Sequence, residues 1–305
     1  MGNPISQDRL TADGNCIICG AGSHSVLYPG ILKCSSCGHV FANTQLSDSD
    51  LAALYKKNYF FGQEYSNYLN DKTVLQKNFT LRWKVLKRFL DSQRHKRLLE
   101  IGCAYGFFLE QSKPFFSHSL GIDITEDGIN HAKNSLGLNV MMGHFPDCDL
   151  KNETYDVVCM WDTIEHLREP HRYIQKIAEH TEDGALLALT TGDILSVPAR
   201  IRKQNWRLIH PPTHLHYFSI ETIGKLLKKY NFDVFYCRYC GFYRSIDNIA
   251  HNIFVLRHQN QKLYDWLRKW KLTQFYCYLN AFDILYIIAR KQTKIINHIQ
   301  HGISS

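Results

Sequence analysis

A succession of short apolar runs, most of them followed by an amphipathic stretch, constrains this chain more than any other feature. RLLEIG (97–102) precedes FFLEQSK, SLGIDI (119–124) precedes TEDGINHAKNSL, and YDVVCMW (155–161) precedes EPHRYIQKIAEH. NVMM (139–142) leads into a loop, and ALLALTT (185–191) leads into a longer irregular stretch. Apolar runs of this length are buried on both faces, and their alternation with helices predicts an α/β architecture with a doubly wound, mostly parallel sheet. IETIGKLLKKYNF, the strand FDVFYC, a helical insertion around 261–280 and the strand-like DILYIIARK follow. With 305 residues and 45% apolar content, the chain has enough material for one large core and a small appendage.

That appendage is read from cysteines. Cys16, Cys19, Cys34 and Cys37 form two CxxC pairs, CIICG and CSSCG, whereas the other six cysteines are scattered. Each pair makes a tight turn that lets two thiolates converge, and Gly20 and Gly38 let the backbone curl beneath a metal. The expectation is a zinc-ribbon-like module with four cysteine ligands and a structural Zn2+. CRYCG at 237–241 is a lone pair and is assigned no metal. A disulfide framework does not suit a chain of this size with no export signal. Formal net charge is +8; four thiolates on one Zn2+ add −4 and +2, lowering it to about +6. The basic residues are dispersed, which permits an anionic substrate or a nucleic acid without selecting either.

The polar start MGNPISQDRLTADG predicts no secretory signal, and AFDILYIIAR (281–290) is too short to span a bilayer, so a cytoplasmic protein without a transmembrane segment is expected. Gly2 and Ser6 fit the loose myristoylation pattern, which also arises by chance. Between the two modules, SDLAALYKKNYF reads as helical. KTVLQKNFTLRWKVLKRFL places Leu75, Phe79, Trp83, Leu86 and Leu90 on one helical face. Phe60, Phe61, Tyr65 and Tyr68 lie between them, either as packing or as a lid over a small substrate.

In open sheets of this kind ligands bind beyond the carboxyl ends of the strands. There LLEIGCAYGFFLE supplies Glu100, Gly102, Ala104 and Gly106, and Asp123 closes the next strand, where a carboxylate can accept hydrogen bonds from ribose hydroxyls. Position 104 is alanine and Tyr105 is bulky, so the dinucleotide fingerprint is incomplete and the turn suits an adenosine cofactor without phosphates. At WDTIEHL, Asp162, Glu165 and His166 have the i, i+3, i+4 spacing that brings side chains together on a helical turn.

These motifs, LLEIGCAYGFFLE, GIDIT, YDVVCMWDTIEHLREP and ALLALTTGD, resemble the successive motifs of class I S-adenosylmethionine-dependent methyltransferases of the methyltransferase-23 type, over roughly residues 70–290. The resemblance implies a Rossmann-like, seven-stranded sheet with S-adenosyl-L-methionine bound by Glu100, Gly102, Cys103, Ala104, Gly106, Asp123, Ile124 and Asp162, and with His144 and Phe145 flanking adenine, although GHFPD departs from the commoner acidic pair. Preceded by CxxC pairs and NYFFGQEYSNY, the pattern is similar to bacterial small-molecule or saccharide methyltransferases. His166, supported by Glu165, is the natural base for methyl transfer to a hydroxyl or amine, or else a helix-start residue satisfied by a carbonyl. Some members of the family hold a divalent ion on an acid-x-x-Glu-His pattern, which makes Asp162, Glu165 and His166 candidate ligands for Mg2+ or another divalent ion. PPTHLHYFS matches a loop that covers the active site in related enzymes, making His214 and Tyr217 substrate contacts or an alternative base.

The expected division is 12–42 for the ribbon, 43–91 for a helical and aromatic linker, and 92–292 for the methyltransferase domain, with insertions at 192–218 and 242–282. The expected partner is a small-molecule acceptor, with oligomeric state open. An RNA methyltransferase lacks a compact interleaving of lysines and aromatics, and a non-catalytic scaffold sits poorly with the intact Gly102, Gly106 and Asp123.

Overall fold

The computed structural model describes residues 15–44, 71–257, 259–270 and 272–293. The expectations for 49–60, for the aromatics at 60–68 and for Gly2 lie outside the described residues.

The N-terminal module is a small antiparallel sheet of β1 (His24–Tyr28), β2 (Ile31–Cys34) and β3 (Val40–Ala42). Each CxxC turn is closed by a backbone bond, Gly20 N–H to the Cys16 carbonyl at 2.7 Å and Gly38 N–H to the Cys34 carbonyl at 3.0 Å. Gly20 and Gly38 have φ of 78° and 76°, the left-handed conformation that carries no steric penalty in glycine.

Helix α1 (Lys72–Leu86) follows the expected stripe: Leu75, Trp83 and Leu86 are buried and Phe79 packs beside them. The large sheet then begins with β4 (Arg97–Ile101), β5 (His118–Asp123), β6 (Val140–Met142), β7 (Val157–Trp161) and β8 (Leu186–Gly192). Between them lie α2 (Phe107–Ser112), α3 (Glu126–Asn134), α4 (Pro170–Glu179) and, after β8, α5 (Val197–Arg202). A two-residue strand β9 (His216–Tyr217), α6 (Ile220–Lys229), β10 (Phe232–Tyr239), β11 (Phe242–Ser245), α7 (Ile246–Ala250), α8 (Gln261–Lys269), β12 (Tyr276–Leu279) and β13 (Ile284–Lys291) complete the chain.

Seven strands form one sheet in the order β6-β5-β4-β7-β8-β13-β10. β13 runs antiparallel between β8 and β10, while the pairs from β6 to β8 are parallel. Alternate residues feed two cores: Leu99, Ile101, Val158 and Met160 face one side, and Leu98, Val157, Cys159 and Trp161 the other. Strands buried on both faces explain why their sequences read as continuous apolar runs. The strand order reverses between β4 and β7, and a crevice opens at their carboxyl ends.

Two features differ from expectation. The 261–280 segment is helical only to Lys269, and Tyr276–Leu279 pairs instead with β11. Its aromatic residues gain cross-strand contacts such as Tyr243 against Tyr278 at 5.5 Å, which a solvated helix would not offer. The ribbon is also not a detached appendage, since β9 from the PPTHLHYFS loop pairs with β3 as a fourth strand. Among the described residues no helix is long and apolar enough to cross a membrane.

Candidate functional site

A cavity of about 690 Å³ lies over the β4/β7 reversal. One end is built by the turn after β4. Gly102, with φ 77°, lies against Thr163, and a Cβ there would sit 2.5 Å from Thr163 Oγ1. Gly106 caps α2 in the left-handed region, beside Leu138 and Ala132. Asp123 fastens this turn: its Oδ2 accepts from Ala104 N–H at 2.8 Å, and its Oδ1 accepts from Thr125 N–H at 2.8 Å and Thr125 Oγ1 at 2.6 Å. Three of a carboxylate's roughly four acceptor positions are thereby used within the protein, leaving about one for a ligand hydroxyl. Burial raises the Asp123 pKa, opposed by these same hydrogen bonds.

Seven of the ten expected cofactor residues line the cavity: Gly102, Ala104, Asp123, Ile124, His144, Phe145 and Asp162. The remaining three support it from beneath. Cys103 points into the core under Gly121, where a Cβ would meet its Sγ at 2.8 Å. Gly106 turns the chain into α2, and Glu100 is 2% exposed within β4. Glu100 Oε2 has no hydrogen-bond partner among the described residues, and burial followed by the nearby Asp123 drives its pKa well above the ordinary range. A proton retained in the fold but released from the unfolded chain makes stability fall as pH rises past the unfolded carboxyl pKa of about 4.3. Glu100→Gln is therefore expected to raise Tm at pH 8 by more than at pH 5; an equal change at both, read by calorimetry, would show that Glu100 is ionised in the fold.

Sequence reasoning missed Gly128 on α3. A Cβ there would lie 2.7 Å from the Ala104 carbonyl oxygen, so the bare helix face is what lets the turn rest on it. The available signal was a glycine in the middle of an otherwise regular helical pattern.

At the other end, β7 passes into a short 3₁₀ turn, Ile164–His166. Asp162 takes φ 47°, and its carboxylate faces Arg82 Nη2 at 3.7 Å rather than the Glu165 and His166 side chains. The cluster that does form is Glu165, His166 and His214, whose donor atoms all lie within 4.8 Å of one another. His166 Nδ1 donates to the Thr213 carbonyl at 2.8 Å and His214 Nδ1 to the Leu208 carbonyl at 2.9 Å, which leaves Nε2 of each ring as the lone-pair atom. The two rings meet edge to face at 4.5 Å. Burial lowers both pKa values, that of His166 to about 4, so both are neutral imidazoles at pH 7. A carboxylate and two neutral imidazoles are a fitting donor set for a divalent ion.

Tyr217, expected among the catalytic residues, does not line the cavity. Its hydroxyl donates to the His214 carbonyl at 3.0 Å, and its ring packs with Ile31, Val40 and Ala42 of the ribbon. The β9 pairing with β3 turns this side chain inward, so Tyr217 braces the loop. His39 and His216 reinforce the seam: His216 Nε2 donates to the Arg168 carbonyl at 3.1 Å, and its Nδ1 accepts from His39 Nε2 at 3.0 Å.

Arg82, Asp71 and Asn248 line the same cavity and were not singled out from the sequence. Arg82 is 4% exposed and donates to the Gly241 carbonyl at 3.1 Å. Asn248 Nδ2 donates to both Asp71 oxygens, at 3.0 and 3.1 Å. An arginine on the apolar stripe of α1, seven residues after Leu75, was the readable sign.

In the ribbon, the four sulfurs of Cys16, Cys19, Cys34 and Cys37 lie within 4.8 Å of one another, with Cys16–Cys37 and Cys19–Cys34 both at 3.6 Å. Tetrahedral Zn–S bonds of about 2.3 Å imply sulfurs about 3.8 Å apart, so the donor set fits zinc.

A family model described as a methyltransferase domain matches residues 75–236. The chain belongs to this methyltransferase family. Curated relatives include the malonyl-[acyl-carrier protein] O-methyltransferase of Bacillus anthracis, 33% identical over 101 residues, or 32% of this chain and 38% of that protein. Its Bacillus cereus counterpart is 28% identical over 113 residues, or 35% of this chain and 42% of that protein. The chain thus spans about two fifths of the length of these relatives. Among solved structures, magnesium protoporphyrin IX methyltransferase from Synechocystis PCC 6803 with bound SAH aligns with a TM-score of 0.51 and 12% identity, covering 81% of this chain and 100% of that one. The YcgJ protein of Bacillus subtilis aligns at 0.50 and 12%, covering 70% and 99%. At these identities the structural likeness speaks to the fold, which is the class I, S-adenosylmethionine-dependent methyltransferase fold.

Proposed function

We propose that the chain transfers a methyl group from S-adenosyl-L-methionine to a hydroxyl or amine of a small molecule, a sugar or another cell-envelope precursor being the favoured class. One observation carries this reading: a single cavity runs from the Gly102–Asp123 turn to the Glu165, His166 and His214 cluster. The names of the two curated relatives specify transfer to oxygen, which supports an oxygen rather than a nitrogen acceptor. Asp71, Asn78, Arg82, Arg244 and Asn248 give the cavity the mixed donors and acceptors that a polyhydroxylated molecule needs. The ribbon, 12–42, is proposed to hold one structural Zn2+ on its four cysteines.

Bound S-adenosylmethionine supplies an electrophilic methyl on a sulfonium, whose sulfur takes the bonding pair as the methyl leaves. The protein's task is to align the acceptor and remove its proton. His166 has the geometry for that step, because its Nδ1–H is committed to Thr213 and its Nε2 is the proton acceptor. His214 presents its Nε2 beside it and Glu165 its carboxylate.

Since His166 acts unprotonated and its pKa is lowered to about 4, the acid limb of kcat/KM is expected well below the ordinary histidine value of about 6.5. His166→Gln is expected to reduce kcat by about 10² to 10⁴ and abolish that limb while S-adenosylmethionine still binds. Full turnover in His166→Gln would remove this residue from the chemistry.

The cluster supports a second reading, a divalent ion held by Glu165, His166 and His214, with His214 in the place anticipated for Asp162. Because a chelator also strips the ribbon, the discriminating arm is recovery: after dialysis and return of one equivalent of Zn2+, this reading expects Mg2+ or Mn2+ still to be needed for turnover in the wild type and to be without effect in His214→Gln. Full recovery with the equivalent of Zn2+ alone leaves the base reading.

A further inference from the structure

The segment that follows β11 exposes large apolar side chains at many positions. Among the described residues, helix α8 is anchored through one face: Tyr264 Oη donates to Asp247 Oδ2 at 2.9 Å, and Arg268 Nε lies 3.6 Å from Asp247 Oδ1. On the opposite side Leu263, Trp266 and Trp270 recur at i, i+3 and i+7, a single helical face, and they are 36%, 52% and 62% exposed. Lys262 and Lys269 flank that face. Exposure of large apolar groups continues past the helix with Leu272, Phe275 and Tyr278. Residues 242–282 carry six lysines and arginines against two aspartates, a surplus of four positive charges.

Apolar surface this extensive on one short segment marks a contact site. Its composition selects the partner. Tryptophan and tyrosine, with an apolar body and a polar edge, suit a headgroup boundary, and lysines beside them suit phosphate. The face is the outer side of a helix rather than a groove for a peptide, and a second copy of this chain would bring the same positive excess to it.

We propose that the 261–282 segment is an interfacial element that seats on a bilayer bearing anionic headgroups, with Trp266 and Trp270 entering the boundary and Lys262 and Lys269 facing lipid phosphates. β12 belongs to this segment and pairs with β11, whose Phe242–Ser245 line the cavity, with the Phe242 ring 5.3 Å from the Arg207 guanidinium of the loop that carries His214. Docking therefore brings the acceptor end to the membrane surface. Resting on the acceptor reading above, this places the acceptor's reactive hydroxyl on a lipid-linked molecule.

The test is co-sedimentation of the full-length, zinc-loaded protein with phosphatidylcholine vesicles, with and without about one third phosphatidylglycerol, at about 0.1 M salt. Partitioning onto the anionic vesicles at least tenfold above the neutral ones is expected. Trp266→Ser/Trp270→Ser and, separately, Lys262→Glu/Lys269→Glu are each expected to lower it about tenfold with S-adenosylmethionine binding unchanged, which establishes that both variants fold. The proposal is overturned if the wild type stays in the supernatant with both vesicles or if the variants bind as well as it does. It is also overturned if the tryptophan variant instead converts a dimer to a monomer in sedimentation. Vesicle binding without methylation of any acceptor supports the docking and overturns the acceptor reading; methylation of a lipid-linked acceptor without vesicle binding does the reverse.

Discussion

Replacing Cys34 by serine, or stripping the ribbon with a chelator, is expected to lower kcat at least a hundredfold while leaving the dissociation constant for S-adenosylmethionine within about threefold. The reason is the seam between the ribbon and the acceptor loop. β3 pairs with β9, Ala42 N–H donates to the Leu215 carbonyl at 2.8 Å, and Leu215 N–H donates to the Glu165 carbonyl at 2.8 Å. The same loop supplies the Thr213 and Leu208 carbonyls that orient His166 and His214. Structural zinc contributes on the order of 10 kcal/mol to the folding of small zinc modules, far more than three short strands supply alone. Without the zinc proposed for the ribbon, β3 would have no fixed edge to offer β9, and both imidazoles would lose their aim. The cofactor turn draws its support from β4, α3 and Asp123, none of which belongs to the ribbon. Isothermal titration of the cofactor beside single-turnover rates makes the comparison; equal loss of binding and rate would mean that the ribbon supports the whole domain.

The opposite pattern is expected for Gly128→Ala. Alanine in a helix interior is favoured over glycine by about 1 kcal/mol, so propensity alone predicts a more stable α3. The new methyl, however, would stand 2.7 Å from the Ala104 carbonyl oxygen and 2.9 Å from its carbon. Those are backbone atoms of the cofactor turn, fixed by the Ala104 N–H bond to Asp123, and they can yield only by moving the turn. A shift of a few tenths of an ångström in the floor of a preorganised site forfeits hydrogen bonds that the ligand requires. We expect affinity for S-adenosylmethionine to fall more than tenfold, about 1.4 kcal/mol or more, with Tm within a few degrees of wild type. Unchanged affinity with a raised Tm would show that the turn does not rest on Gly128.

What the sequence made legible was local. The glycine turn, Asp123 and the sheet strands are contiguous stretches whose composition follows directly from burial on both faces or from a positive φ. The antiparallel entry of β13 between β8 and β10 is a tertiary choice, and DILYIIARK would read the same in any central strand. β9 has two residues, too few for any periodicity, so neither its pairing with the ribbon nor the inward turn of Tyr217 could be read. The rest of the cavity is built from α1, the β7 turn, the 206–214 loop and α7, and Arg82 meets Asp162 only because those elements converge. The WDTIEHL spacing brought Glu165 and His166 together but assigned Asp162 to them, where the structure supplies His214 from a distant loop.

On the proposed reading, one cavity joins the turn that binds S-adenosylmethionine to the site that takes the acceptor. The most direct test of that reading is incubation of the purified protein with S-adenosylmethionine and a fractionated cell extract, including the lipid fraction, followed by mass-resolved comparison. The expected result is a species about 14 Da heavier that forms only with cofactor and is lost with His166→Gln. Binding of S-adenosylmethionine with no heavier species in any fraction would contradict it.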